Sequence, residues 1–187
     1  MADEDPEDYT GLHAFVFVRE VDPGTNVRDV VGALRELGRP QVRFAAETVG
    51  TYIGFAHVRT ETLGELQDLI VGELWERGVH CDHCVEAGVA QVGTRKAGAK
   101  RSTPEIIGLV RVRTRRGAIQ DVLDAMADEN GPLRATFRGA SIVFGDFDIL
   151  LQLGGETFEQ VAGDALGPLQ TIDGITGTDT AFIDGSR

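Results

Sequence analysis

The chain has 187 residues and an ordinary apolar fraction of 42%, which excludes a wholly disordered protein. No apolar run reaches the roughly 20 residues that span a bilayer, and a formal net charge of −12 argues against direct binding to a phosphate backbone. The opening Met1-Ala2-Asp3-Glu4-Asp5-Pro6-Glu7-Asp8 lacks the apolar core of a secretory signal, so a cytoplasmic location is expected.

Residues 1–10 read as an acidic, disordered tail. A first unit is expected over 11–90. His13 to Arg19 is β-branched and aromatic and reads as a strand. Asp22-Pro23-Gly24-Thr25-Asn26 is a turn, with Thr25 or Asn26 able to cap a helix. Val27, Val30, Val31, Leu34 and Leu37 recur at helical spacing, and Gly38 and Pro40 end that helix. Two strands follow, over 42–48 and 51–58. Thr62-Leu63-Gly64-Glu65 has capping-box spacing. Leu63, Leu66, Leu69, Ile70 and Leu74 form a second stripe, Gly78 closes the helix, and 79–87 is a last strand.

Residues 91–104, with Arg95-Lys96-Ala97-Gly98-Ala99-Lys100-Arg101, read as a basic linker. A second unit over 105–185 then repeats the first. Ile106 to Arg113 is its first strand. Ile119, Val122, Leu123 and Met126 line a helix stopped by Asn130-Gly131-Pro132. The central strands span 133–143 and 147–153. Phe158, Val161, Ala162, Ala165 and Leu166 line the second helix, and 175–183 closes the unit.

The copies match segment by segment. Phe15-Val16-Phe17-Val18 answers Leu109-Val110-Arg111-Val112, Gly50-Thr51-Tyr52 answers Gly145-Asp146-Phe147, and Gly78-Val79 answers Gly174-Ile175. Each is a split βαβ unit, strand–helix–strand–strand–helix–strand. Strands such as Phe15 to Val18 and Ile149 to Leu153 are apolar on both faces, so the helix-free face calls for a cover. The expected fold is therefore α+β: two ferredoxin-like βαββαβ repeats forming an intrachain pseudo-dimer, a dimeric α/β-barrel-like arrangement.

His80-Cys81-Asp82-His83-Cys84 invites a metal reading. On a strand, however, Cys81 and His83 point one way and His80 and Cys84 the other, and one strand cannot wrap a tetrahedral site. No metal and no cofactor are expected. Ser-nucleophile, zinc-protease and phosphate-loop motifs are absent, and no catalytic residue is assigned in the leading reading.

Gly145-Asp146-Phe147-Asp148-Ile149-Leu150-Leu151-Gln152-Leu153 resembles the Gly–x–aromatic–Asp–aliphatic signature of the effector domain of Lrp/AsnC-type regulators. Ile172-Asp173-Gly174-Ile175-Thr176-Gly177-Thr178-Asp179-Thr180 resembles that domain's ending, a glycine followed by spaced threonines. The first copy departs from it, with Ile53 where the second has Asp148. The resemblance implies an amino-acid-like ligand held by Gly145, Asp146, Phe147, Asp148, Thr176, Thr178 and Thr180. It also implies assembly with further copies or with a related regulator. The family's DNA-reading helix-turn-helix is not found ahead of the first copy, so direct DNA binding is not expected. The leading expectation is an effector-binding and oligomerisation module. The alternatives are a small dimeric α/β-barrel enzyme, with His13, His57 and Tyr52 as its candidate residues, or a purely structural partner.

Overall fold

The computed structural model describes residues 11–36, 42–88 and 106–184. The acidic tail, the basic linker and the first helix's predicted end at Leu37, Gly38 and Pro40 lie outside those residues. The chain divides into two compact units, 1–86 and 87–187.

Unit 1 runs β1 (Leu12–Val21), α1 (Val27–Glu36), β2 (Val42–Glu47), a two-residue β3 (Val49–Gly50), β4 (Gly54–Thr60), α2 (Leu63–Gln67) and β5 (Val79–Gly88). Within it β1 pairs antiparallel with both β4 and β5, and β2 pairs with β4. Unit 2 runs β6 (Ile106–Thr114), α3 (Ile119–Ala127), β7 (Phe137–Phe144), β8 (Ile149–Gly155), α4 (Phe158–Leu166) and β9 (Ile175–Asp184). Its pairings repeat the scheme: β6 with β8 and β9, and β7 with β8. Both units are thus βαββαβ, the α+β class expected.

The local causes repeat as well. Asn26 caps α1, its Oδ1 accepting from the Arg28 N–H at 2.9 Å. Thr62 and Thr157 cap α2 and α4, each hydroxyl accepting the N–H three residues on, at 3.2 Å. Glu65 and Gln160 reach back to accept from the N–H of Glu61 and Glu156, one residue before each cap, a variant of the capping box repeated in both copies. The chain returns from helix to closing strand through Gly78 (φ 70°) and Gly174 (φ 95°), a left-handed conformation that favours glycine. A Cβ at Gly174 would meet Ala118 at 2.9 Å and Val122 at 3.0 Å.

The helical stripes are buried as spaced: Val30, Val31 and Leu34 in unit 1, and Val122, Leu123 and Met126 in unit 2. Ile119 is partly buried, and three predicted stripe residues are exposed. Leu63 (63% exposed) and Phe158 (48%) are each the first residue of a second helix. Helical side chains lean toward the N-terminus, so a first-turn residue overhangs the sheet's end. Leu166, 64% exposed, is the last residue of α4.

The second helix of unit 1 also departs from plan. After Gln67 it continues as a π-helical run, Asp68–Leu74, which keeps Leu69, Ile70 and Leu74 buried but leaves Val71 and the following Trp75 outside. The central hairpins shift by a few residues. Thr48 N–H donates to the Ile53 carbonyl and Ile53 N–H to Val18, so β4 starts only at Gly54. Val143, Asp148 and Val112 make the same pair of bonds in unit 2. This equivalence sets Tyr52 against Phe147 and Ile53 against Asp148. Leu133, predicted in a strand, is instead a buried turn residue whose carbonyl accepts from Thr136 and Phe137.

Candidate functional site

Unit 1 carries its chemistry on the sheet face away from its helices. Ala14, Val16 and Val18 join the helix-side core, which turns His13, Phe15 and Phe17 to the other face. Strand register extends that face. Phe15 stands opposite His57 and Phe17 opposite Phe55 on β4. Phe17 also stands opposite Asp82 on β5, and Phe44 on β2 stands opposite His57.

The rings touch. Phe15 stacks on His57 with centroids 4.9 Å apart. Phe17 tilts against Phe55 at 5.3 Å and against Tyr52 at 5.2 Å. Phe44 leans on Phe55 at 6.2 Å. Phe15, Phe17, Tyr52 and Phe55 are buried, whereas Phe44 is 42% exposed and marks the open edge of the cluster.

Polar groups stand at both ends of this aromatic surface. At one end His13 Nδ1 and His57 Nε2 lie 3.0 Å apart, one donating and the other accepting. Burial, then the neighbouring His13, then the Arg43 guanidinium push His57 down to about 4. His57 is therefore a neutral imidazole near pH 7. At the other end the Tyr52 hydroxyl donates to Asp82 Oδ2 at 3.2 Å. Arg19 Nη2 donates to both Asp82 oxygens at 2.6 Å. A bulge between Val18 and Glu20 breaks the β1–β5 register at Arg19, the kind of irregularity that re-aims a side chain.

Unit 2 uses the matching positions differently. Arg111 replaces Phe17, and Gln152 stands opposite Leu109 where His57 stands opposite Phe15. Arg111 is buried, donates from Nη2 to Asp179 Oδ2 at 3.0 Å, and lies 3.8 Å over the Phe147 ring. Desolvation outweighs Asp179 and lowers the guanidinium to about 10. The histidine pair has no counterpart here.

The residues singled out by the regulator resemblance are only partly brought together. Gly145, Asp146 and Asp148 gather with Thr176 at one end of the unit 2 sheet. The Asp146 carbonyl accepts from Arg113 Nε, and Thr176 Oγ1 donates to the Arg113 carbonyl. Asp148 Oδ2 accepts from Thr114 N–H at 2.7 Å and from the Thr114 hydroxyl at 3.0 Å. Phe147 is buried beneath Arg111. Thr178 and Thr180 lie further along β9, opposite Val112 and Val110, residues of the helix-side core.

On β5 His80 Nε2 meets Asp22 Oδ1 at 3.1 Å, while Cys81 packs against the helix-side core. Burial, then Asp82, push the Cys81 thiol up to about 11. Among the described residues no three His, Cys, Asp or Glu side chains converge as a metal site, and no helix is long and apolar enough to cross a membrane. A shallow depression lined by Asp68, Gly72, Glu73, Glu76 and Arg77 follows the outside of one helix and includes none of the aromatic or histidine residues.

His13, His57 and Tyr52 are legible in sequence as candidates. Arg19 and Asp82 were missed. Their signal is faint because Asp82 follows Gly78 by four residues while Asp179 follows Gly174 by five, so the repeat does not align them.

No family model matches the sequence, and no curated protein does. Among solved structures, the chain is similar to an anthrone oxidase-like protein. The TM-score is 0.58 at 10% identity, over 94% of this chain and 91% of that one. At that identity the likeness establishes the fold and nothing finer. The Lrp/AsnC resemblance rests on its quoted residues alone.

Proposed function

We propose that this protein is a small enzyme acting on a planar, anthrone-like aromatic, with His57 as the group that takes a proton. The observation that carries the reading is the largely buried His13–His57 pair, with His57 held neutral, packed against the Phe15 ring. The exposed Phe44 ring, backed by the buried Phe55, suits a flat ring system that enters at this edge. A neutral imidazole can accept a proton, and His13 fixes its orientation.

The reaction balances with dioxygen as co-substrate. The base removes a proton from the acidic ring carbon opposite the ketone. The resulting anion is delocalised over the rings and adds to dioxygen, and the peroxide formed takes the proton back. Loss of water leaves the quinone, so one substrate and one dioxygen give one quinone and one water. His57 by itself is a weak base, but an anion forming beside it supplies the charge partner that burial withholds.

The effector-module reading has less support. The Asp148 carboxylate that would hold an ammonium already accepts two hydrogen bonds from Thr114.

The test is quinone formation from anthrone in air, followed by absorbance and by an oxygen electrode. Wild type should outpace buffer, and His57→Gln should lose about 100-fold or more, the low end for a general base. A wild-type rate equal to buffer, or full activity in His57→Gln, would refute the reading.

A further inference from the structure

The outside of α2 and its π-helical continuation carries an apolar ridge beside an acidic one. Residues four apart share a helix face. Leu63, Val71 and Trp75 stand on one such ridge and are 63%, 54% and 62% exposed. Asp68, Gly72 and Glu76 form the ridge next to it. Gly72 has open space where a side chain would stand, which gives the depression lined by Asp68, Gly72, Glu73, Glu76 and Arg77. Three carboxylates there face one guanidinium. Among the described residues no ion pair or side-chain hydrogen bond engages any of the three.

The Trp75 ring is held in place. It meets His80 edge-on, with centroids 5.1 Å apart and planes at 79°, and His80 Nε2 donates to Asp22 Oδ1 at 3.1 Å. An indole fixed at one edge and presented at the other loses little further freedom when it is covered. Val71, Trp75 and the three acids all lie on the π-helical run or just after it, where this helix departs from α4. The matching ridge of α4 has Phe158 packed on Phe182 at 4.6 Å, no tryptophan, and only Glu159 and Asp164 as acids.

Charge selects what can cover the α2 face. A second copy would set acid on acid, and a phosphate-bearing surface would be repelled in the same way. A basic segment is complementary. Its apolar side chains would lie along Val71, an arginine would stack on Trp75, and further bases would reach Asp68 and Glu76, which stand about 12 Å apart along the helix.

We propose that the outer face of α2 docks a basic amphipathic helix of a partner protein, with Val71 and Trp75 as apolar anchors and Asp68, Glu73 and Glu76 as the charged rim. The helix turns Leu66, Leu69, Ile70 and Leu74 into the helix-side core, so this face points away from the sheet and the inference does not depend on the aromatic site.

Trp75 is the only tryptophan of the chain, so its emission reports on this face. The probes are a peptide of leucine and arginine at helical spacing and the same peptide with glutamate in place of arginine. Binding is read by Trp75 emission and, for the variants, by anisotropy of a fluorescein-tagged peptide. Wild type should show a blue shift with the arginine peptide and bind it at least about 10-fold more tightly than the glutamate one. Glu73→Gln combined with Glu76→Gln should weaken binding by about 3–10-fold, as expected of two exposed charge pairs. Val71→Ser should weaken it by about 3–10-fold through lost apolar contact. Leu166→Ser on α4 should change nothing, and substitutions at such exposed positions leave the fold intact. Equal affinity for the two peptides, no binding of either, or wild-type binding by Val71→Ser would overturn the proposal. A concentration-dependent dimer abolished by Val71→Ser would overturn it in favour of a second copy. A gain in peptide affinity on changing Arg95, Lys96, Lys100 and Arg101 to serine would overturn it in favour of the chain's own basic run.

Discussion

The buried histidine makes stability depend on pH in a defined direction. His57 sits at about 4 in the fold against 6.5 for the ordinary imidazole, so the fold favours the neutral ring. The unfolded chain takes up its proton first as pH falls. The stabilisation is thus complete above about 6.5 and is lost progressively as pH drops through about 4. Each pKa unit is worth about 1.4 kcal/mol, so the full loss approaches about 3 kcal/mol. Linkage with these two values gives about 2 kcal/mol lost between pH 7 and pH 5. Carboxylates contribute little above pH 5, so most of the change in this window belongs to histidine. Urea denaturation of wild type and His57→Gln at pH 7, 6 and 5 measures it. Glutamine is the natural occupant of the matching position, Gln152 in unit 2, and does not titrate. The gap between the two proteins should close by about 2 kcal/mol on going from pH 7 to pH 5. Parallel curves would show that His57 is not held neutral by the fold.

Gly108 on β6 faces α4, and an added Cβ would lie 2.8 Å from Val161 Cγ1. Gly108→Ala should cost about 1–3 kcal/mol by overpacking, read as a lower melting temperature; an unchanged melt would show that α4 yields freely. Asp148→Asn should destabilise by about 1–3 kcal/mol through its bonds to Thr114, with or without amino acids present. Amino-acid-dependent stabilisation of wild type, abolished in this variant, would instead support the effector reading of unit 2. Cys81, with its thiol raised to about 11, should alkylate far more slowly at pH 8 in the native protein than in urea. Peptide mass spectrometry reads this site by site, and equal rates would mean that the thiol is open to solvent.

Most of the fold is legible in the amino-acid sequence because its signals are local. A helix announces itself by apolar spacing and caps, as at Thr62 and Thr157, and a left-handed turn by a glycine, as at Gly78 and Gly174. The duplicated order of these signals is enough to name two βαββαβ units. The exact hairpin register is not local. It depends on backbone bonds such as Ile53 to Val18, which reach across 35 positions and delay β4 to Gly54. The candidate site is less local still. His13 and His57 are 44 residues apart, and Arg19 and Asp82 are 63 apart. Each pair meets only because strand register sets β4 and β5 on either side of β1, and a slip of one residue would turn every one of these side chains to the opposite face. Composition and spacing supply the histidines, the phenylalanines and the aspartate. The tertiary structure alone decides that they share one face, that burial keeps His57 neutral, and that the Asp148 carboxylate is taken up by Thr114.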